Sequence, residues 1–152
     1  MNLIITNIIN ANTIISNPNG IKITHIVSIG ADHAIQQIPK DFDKHPAKKI
    51  RLEFFDISSE EREGMNGPSR KDIELLINFY KEALRMENPS FLIHCYAGKS
   101  RSTAAGLILL TMFYNDANKA MAELLTIKPE ATPNGRMIKL AGEYFNKGEN
   151  GK

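Results

Sequence analysis

The chain has 152 residues, 42% of them hydrophobic, and a formal net charge of +2. These values suit one globular domain with a full core and exclude an intrinsically disordered chain. The charge is too small for a typical nucleic-acid-binding protein, which carries a concentrated basic face, so we expect no specific nucleic-acid binding. A mildly basic protein does suit small anionic ligands.

The cysteine content and the N-terminal segment bear on the cellular location. Cys95 is the only cysteine, so no intrachain disulfide can form. The segment at residues 1–15 is apolar but interrupted by asparagines, and it lacks the basic region and cleavage site of a signal peptide. No run approaches the ~18 apolar residues of a membrane span. We therefore expect a cytoplasmic protein without a membrane partner.

The first half of the chain is predicted to contain mainly strands and loops. Apolar runs on either side of a strong turn signal at residues 17–20 favour short strands. The predicted strands are residues 2–9, 13–16, 24–29 and 50–55. Residues 31–48 are predicted to form a loop with one short helix, and residues 57–68 a polar loop.

The second half is predicted to be mainly helical. Ser69 and Asp72 resemble a capping box, and the apolar residues that follow recur at helical spacing. A later helix is apolar nearly all round, as a buried helix would be. The predicted helices are residues 69–87, 102–113, 117–128 and 137–145, and a short strand at 90–93 lies between the first two.

Strands that alternate with helices predict an α/β fold. We expect a central, mostly parallel sheet of four to five strands, with helices on both faces. The chain is predicted to form a single domain over residues 1–152, with its core at about residues 3–146 and a flexible tail at 147–152.

The segment between the strand at 90–93 and the buried helix has a pattern with chemical meaning. Five residues separate Cys95 from Arg101. A tight turn that enters a helix N-terminus points successive backbone N–H groups into one hollow, which can hold a phosphate-sized anion. The residues predicted to bind phosphate are therefore Cys95, Tyr96, Ala97, Gly98, Lys99, Ser100 and Arg101.

The side chains of this segment suit nucleophilic attack on phosphorus. Helix N-termini and nearby cations stabilise a cysteine as its thiolate, so Cys95 is the candidate nucleophile. Arg101 can bind two phosphoryl oxygens through parallel N–H groups, where Lys would offer only a point charge. Ser102 can place its hydroxyl near the sulfur and help the thiolate leave. His94 is expected to brace the loop from behind.

The run from His94 to Ser102, His-Cys-x-x-Gly-x-x-Arg-Ser, resembles the signature of the protein tyrosine phosphatases, in particular the dual-specificity phosphatases. Two weaker likenesses agree in order. Residues 23–27 resemble the strand before that family's substrate loop, and residues 128–134 resemble its turn before the last helix. The resemblance covers about residues 20–146 and implies a protein tyrosine phosphatase-like fold.

The resemblance also implies a general acid, which in this family is an Asp at the end of the strand before the long helix. Asp56 occupies that position. An acid is needed because the leaving oxygen must be protonated as its bond to phosphorus breaks. Asp41, Asp43 and Asp32 stay open as alternatives.

The sequence thus predicts a phosphomonoester hydrolase of the protein tyrosine or dual-specificity phosphatase type, which forms a cysteinyl-phosphate intermediate and releases phosphate. Its partner would be a phosphorylated protein or another phosphomonoester. We expect no cofactor and no metal, since the loop supplies the positive field and since His25, His33 and His45 lack metal-ligand spacing.

Other readings of the same residues stay open. The substrate could be an RNA 5′-phosphate, a nucleotide or a phosphoinositide instead of a protein. Cysteine loops that run to an arginine also occur in rhodanese-like sulfurtransferases and related arsenate reductases. A catalytically silent phosphoprotein-binding module is a further alternative.

Overall fold

The computed structural model describes residues 1–150, and the side chains of residues 1–147. This part of the chain contains six strands and five helices, with two short 3₁₀ turns before β3. The elements are β1 (Asn2–Thr6), α1 (Ile8–Ile15), β2 (His25–Gly30), β3 (Lys48–Glu53), β4 (Glu61–Arg62), β5 (Met65–Asn66), α2 (Arg70–Ala83), β6 (Ser90–His94), α3 (Arg101–Tyr114), α4 (Ala117–Ile127) and α5 (Gly135–Asn150).

A four-stranded parallel sheet in the order β1-β6-β2-β3 forms the centre of the domain. This confirms the predicted α/β class and the parallel sheet. The strands β4 and β5 form a separate antiparallel hairpin inside the predicted polar loop. Because the four central strands are parallel, their C-terminal ends meet at one edge of the sheet, and the loops that follow them meet there too.

Side chains from alternate positions of the strands reach opposite faces of the sheet. Ile5, Val27 and Ile93 belong to the large core beneath α2, α3, α4 and α5. Ile26 and Leu92 pack on the other face, in a smaller cluster with α1 and residues 42–47. Helices therefore cover both faces, as predicted.

The prediction of strands over residues 7–9 and 13–16 is wrong, because α1 occupies residues 8–15. Asn7 caps this helix, since its side chain accepts a hydrogen bond from the backbone N–H of Asn10. Ile8, Ala11 and Ile15 are the buried residues and follow helical spacing. The many isoleucines favour strands intrinsically, but the cap and the packing against the sheet override that preference.

The helices of the second half follow the sequence more closely. The capping box of Ser69 and Asp72 is present at the start of α2, which ends at Ala83, before the predicted boundary. All residues from Arg101 to Leu110 of α3 are buried, as the apolar pattern predicts. Within residues 1–150, no helix combines the length and the apolar composition needed to cross a bilayer.

The predicted core of the domain ends at about residue 146, and the predicted flexible tail covers residues 147–152. Helix α5 runs through residue 147 to Asn150. Residues 151 and 152 of the proposed tail lie outside the described residues.

Candidate active site

Residues 95–101, which we call the nucleophile loop, connect β6 to α3 and lie against the end of β1. The backbone N–H of Cys95 donates to the carbonyl of Thr6 (3.4 Å), and that of Ile8 donates to the carbonyl of Tyr96 (3.2 Å). Gly98 has φ +74°, and a Cβ there would lie 2.7 Å from the carbonyl carbon of Thr6. Only glycine fits, because both the left-handed backbone and the contact with β1 exclude a side chain.

Two donors converge on the sulfur of Cys95. Cys95 is only 2% exposed. Its Sγ accepts from the backbone N–H of Gly98 (3.2 Å) and lies 3.1 Å from Oγ of Ser102. In the thiolate form the sulfur can accept from both groups. The geometry is compatible with a nucleophile, and that role of Cys95 stays a prediction.

Arg101 is held at the base of the same loop with part of its guanidinium unpaired. The side chain is buried, and Nη1 donates to the carbonyl of Phe54, just after β3 (2.8 Å). Its Nε is buried without a hydrogen-bond partner among the described residues. A buried N–H without an acceptor is costly, and an anionic oxygen would satisfy it.

Asp56 lies beside the nucleophile loop. Its Oδ1 accepts from the hydroxyl of Ser100 (2.7 Å) and from Nδ2 of Asn134 (2.8 Å). The alternatives make contacts on the surface: Asp32 lies 3.7 Å from His33, and Asp41 lies 4.0 Å from Lys44. Geometry therefore favours Asp56 among the candidates, and its role as the acid stays a prediction.

Asn134 ends the segment at residues 128–134, which was predicted only as a turn before the last helix. Its side-chain amide joins the segment after β3 to α5. Nδ2 donates to Asp56 and to the carbonyl of Ile57 (3.1 Å), while Oδ1 accepts from the N–H of Met137 in α5. Its own N–H donates to the carbonyl of Ser100 (3.1 Å). The sequence contains an indication of this role, because Asn is a preferred residue directly before a helix, where its side chain can cap the first turn.

His94 lies behind the loop, fully buried. Its Nε2 lies 2.6 Å from Oγ of Ser28, and its Nδ1 lies 3.4 Å from the carbonyl oxygen of Cys95. Burial lowers the pKa of His94 to about 4, and the positive charges of Arg51 and Arg101 contribute to this. The imidazole is therefore neutral at pH 7, and its contact with the carbonyl of Cys95 suits the bracing role, which stays a prediction.

No protein-family model matches the sequence, and no curated protein matches it. Solved structures do. The chain is similar to the human tyrosine phosphatase-like serine/threonine/tyrosine-interacting protein, with 19% identity, a TM-score of 0.74, and 95% of this chain and 91% of that chain covered. It is also similar to human DUSP28, with 16% identity, a TM-score of 0.70, and 99% and 95% of the chains covered.

The chain has the dual-specificity phosphatase fold. A crystal structure of PTPMT1 in complex with PI(5)P is similar to it as well, with 12% identity, a TM-score of 0.67, and coverage of 96% of this chain and 91% of that chain. At these identities the likeness concerns the fold, so the activity has to be argued from the chemistry of the site.

The remaining residues of the nucleophile loop differ in exposure. Tyr96 is 57% exposed, Ala97 and Lys99 are exposed, and Ser100 is half-buried.

The other histidines lie outside the nucleophile loop. Burial lowers the pKa values of His25 and His45, helped by Lys48 and Lys49 respectively. No three His, Cys, Asp or Glu side chains of the described residues are grouped so as to hold a metal ion.

Burial of His94 should lower the free energy of unfolding of the protein in acid. The unfolded chain protonates this residue below about pH 6.5, whereas the folded chain does so only near pH 4. Between these values the unfolded state binds more protons, so stability falls as pH falls, by roughly 2–3 kcal/mol in this window. Urea unfolding at pH 7 and about pH 4.5, compared with the variant His94→Gln, measures this. An equal pH dependence in both proteins would contradict it.

Proposed function

We propose that the chain is a phosphomonoester hydrolase, of the protein tyrosine or dual-specificity type, that acts through a cysteinyl-phosphate intermediate. One observation carries the proposal. The sulfur of Cys95, with Gly98 and Ser102 as hydrogen-bond partners, is in the same short loop as the unpaired Nε of the buried Arg101. A nucleophile and an anion-binding group so combined suit attack on a phosphate ester.

In the first step the thiolate of Cys95 attacks phosphorus in line with the ester oxygen. An S–P bond forms and the P–O bond to the leaving group breaks. Arg101 and the backbone N–H groups of the loop bind the phosphoryl oxygens, where charge develops. Asp56 donates its proton to the leaving oxygen, which departs as an alcohol or phenol.

In the second step water attacks the phosphorus of the cysteinyl phosphate. Asp56, now a carboxylate, takes a proton from the water, and the S–P bond breaks to release phosphate. Ser102 lies 3.1 Å from the sulfur and donates its hydroxyl hydrogen bond to the departing thiolate. Ser100 and Asn134 hold the same oxygen of Asp56 in both steps, which keeps the carboxyl group beside the loop.

A phosphorylated protein is the substrate that we propose first. The exposed ring of Tyr96 and the exposed Lys99 flank the nucleophile, and they suit a peptide that carries apolar and acidic groups. PTPMT1, solved with PI(5)P, supports a phosphoinositide as the alternative. A panel of phosphopeptides and soluble phosphoinositides distinguishes the two.

A non-catalytic phosphoprotein-binding module is the second candidate. It is favoured by the likeness to a human protein that is described as phosphatase-like and interacting. The presence of Cys95, Arg101 and Asp56 together argues for catalysis, because binding alone requires neither a nucleophile nor an acid.

Hydrolysis of nitrophenyl phosphate by the full chain tests the proposed function. We expect turnover that EDTA does not reduce, and a phosphorylated Cys95 when the reaction is quenched with acid and analysed by mass spectrometry. Phosphopeptide binding without turnover would instead support the binding module. Transfer of sulfur from thiosulfate to cyanide would support a sulfurtransferase.

Replacing Asp56 by Asn should slow substrates with poor leaving groups most. An alkyl phosphate needs full protonation of its leaving oxygen, so we expect a loss of about 10²-fold in kcat, and a loss below about tenfold for nitrophenyl phosphate. The matched control is Asp41→Asn, since Asn tolerates the left-handed backbone at that position (φ +62°). Equal losses for both substrates, or a larger loss in the control, would identify another acid.

A further inference from the structure

A row of polar side chains crosses the sheet directly behind the nucleophile. Thr6, His94, Ser28 and Arg51 are register partners on β1, β6, β2 and β3. They occupy the face that packs on α1 and the loop before β3, where the preceding same-face positions of β1, β6 and β2 are the apolar residues Ile4, Leu92 and Ile26. Polar groups buried in such a row need partners, so their contacts merit a full account.

The hydrogen bonds in this row run in one direction. Arg51 Nη1 donates to Oγ of Ser28 (2.8 Å) and to the carbonyl of Gln37 (2.9 Å). The guanidinium takes one lone pair of the Ser28 oxygen, and the carbonyl of Cys95 can only accept, so the consistent arrangement has Ser28 donating its hydroxyl proton to Nε2 of His94 (2.6 Å). That assigns the imidazole proton to Nδ1, which faces the carbonyl oxygen of Cys95.

The position of Arg51 is built into the neighbouring strand. Its side chain is 16% exposed, and Nη2 is paired with Glu53 (3.2 Å). Gly30, at the end of β2, provides the space for the guanidinium, because a Cβ at that position would lie 2.9 Å from Cζ of Arg51 and closer still to Nη2. Any side chain at position 30 would therefore displace Arg51.

We propose that Arg51 is a positioning residue for the nucleophile loop, which orients His94 through Ser28 and attaches the loop at residues 31–38 to the same point. The inference rests on the proposed function for its effect on turnover, and its structural part stands without it. The contact with Gln37 joins the segment that follows β2 to the brace behind Cys95. The guanidinium also adds fixed positive charge near Arg101.

Two variants disturb this arrangement by different routes, and a third serves as a control. Arg51→Met removes the guanidinium but keeps the length of the side chain. Gly30→Ala keeps the guanidinium and displaces it. Arg85→Met removes an exposed arginine just after α2, whose ion-pair partner among the described residues is Glu82 at 3.5 Å. Circular dichroism and thermal unfolding show which variants are folded at the assay temperature.

The first readout is the tautomer of His94, measured by ¹⁵N NMR without substrate. In the wild-type protein we expect protonation at Nδ1 alone. In Arg51→Met and Gly30→Ala the oxygen of Ser28 loses the donor that directs its hydroxyl proton toward Nε2, so the second tautomer should appear. Protonation at Nε2 in the wild type, or an unchanged tautomer in both variants, would overturn the proposal whether or not the chain is a phosphatase.

The second readout is turnover of nitrophenyl phosphate. We expect kcat to fall about tenfold in both variants with little change in KM, because the brace behind the nucleophile is lost while the anion site remains. Arg51→Lys should recover part of this loss, and Arg85→Met should stay within about twofold of wild type. If the wild type turns over substrate and both variants keep its kcat, the positioning role is wrong.

Discussion

The variant Cys95→Ser is expected to lose turnover of nitrophenyl phosphate by at least about 10³-fold, the largest effect of any single substitution in this chain. A serine hydroxyl in place of the thiolate is a far weaker nucleophile, and the neighbouring donors from Gly98 and Ser102 cannot ionise it at neutral pH. The side chain is nearly the same size, so the buried site should stay packed. Steady-state kinetics with the purified variant measure the loss.

The same variant should still bind phosphate esters. Arg101 and the loop N–H groups are unchanged in this variant. We therefore expect its dissociation constant for inorganic phosphate, measured by calorimetry, to stay within about tenfold of the wild-type value, and a phosphopeptide to bind as well. Residual turnover near the wild-type rate would show that the reaction does not pass through Cys95. Loss of binding together with a lowered melting temperature would show that the sulfur has a structural role instead.

Replacing Arg101 by Lys is expected to reduce kcat/KM by about 10²- to 10³-fold. The guanidinium donates to the carbonyl of Phe54 through Nη1 while its Nε remains unpaired. An ammonium group offers a point charge and could not reproduce the planar set of donors. Kinetics over a range of nitrophenyl phosphate concentrations would show a lower kcat as well as a higher KM, because the transition state carries more charge on the bound oxygens than the substrate does.

Arg136→Lys provides the matched control for this substitution. Arg136 also donates to a backbone carbonyl, that of Pro68 at 2.7 Å, but it lies on α5 and outside the nucleophile loop. We expect this variant to keep its kcat/KM within about twofold, as is usual for changes away from a site. Equal losses in the two variants would mean that Arg101 contributes to folding and not to phosphate binding.

The sequence was sufficient to predict the nucleophile loop and most of the sheet. Cys95 and Arg101 stand between a buried strand and a buried helix, and this local context determines the backbone of the loop. Local patterns were less informative where tertiary packing decides the conformation. Residues 8–15 form a helix although their isoleucines favour a strand, because Asn7 caps the helix and the sheet buries one side of it.

Contacts between residues distant in the sequence were the least predictable part of the site. Asn134 reaches Asp56 across 78 positions, and Arg51 reaches Ser28 across 23. From the sequence alone, Asn134 is recognisable as a helix cap and Arg51 as a charged residue on a strand. Neither property identifies the residue that it contacts. Such pairs become visible only once the order of the strands is known, since it brings β2, β3 and β6 together.

The fit of Gly98 against the end of β1 gives the first eight residues of the chain an importance beyond their own sequence. The backbone of Thr6, Asn7 and Ile8, at the end of the edge strand β1, contacts the nucleophile loop and determines its shape. Trimming these residues would release that loop even though the motif itself stayed intact.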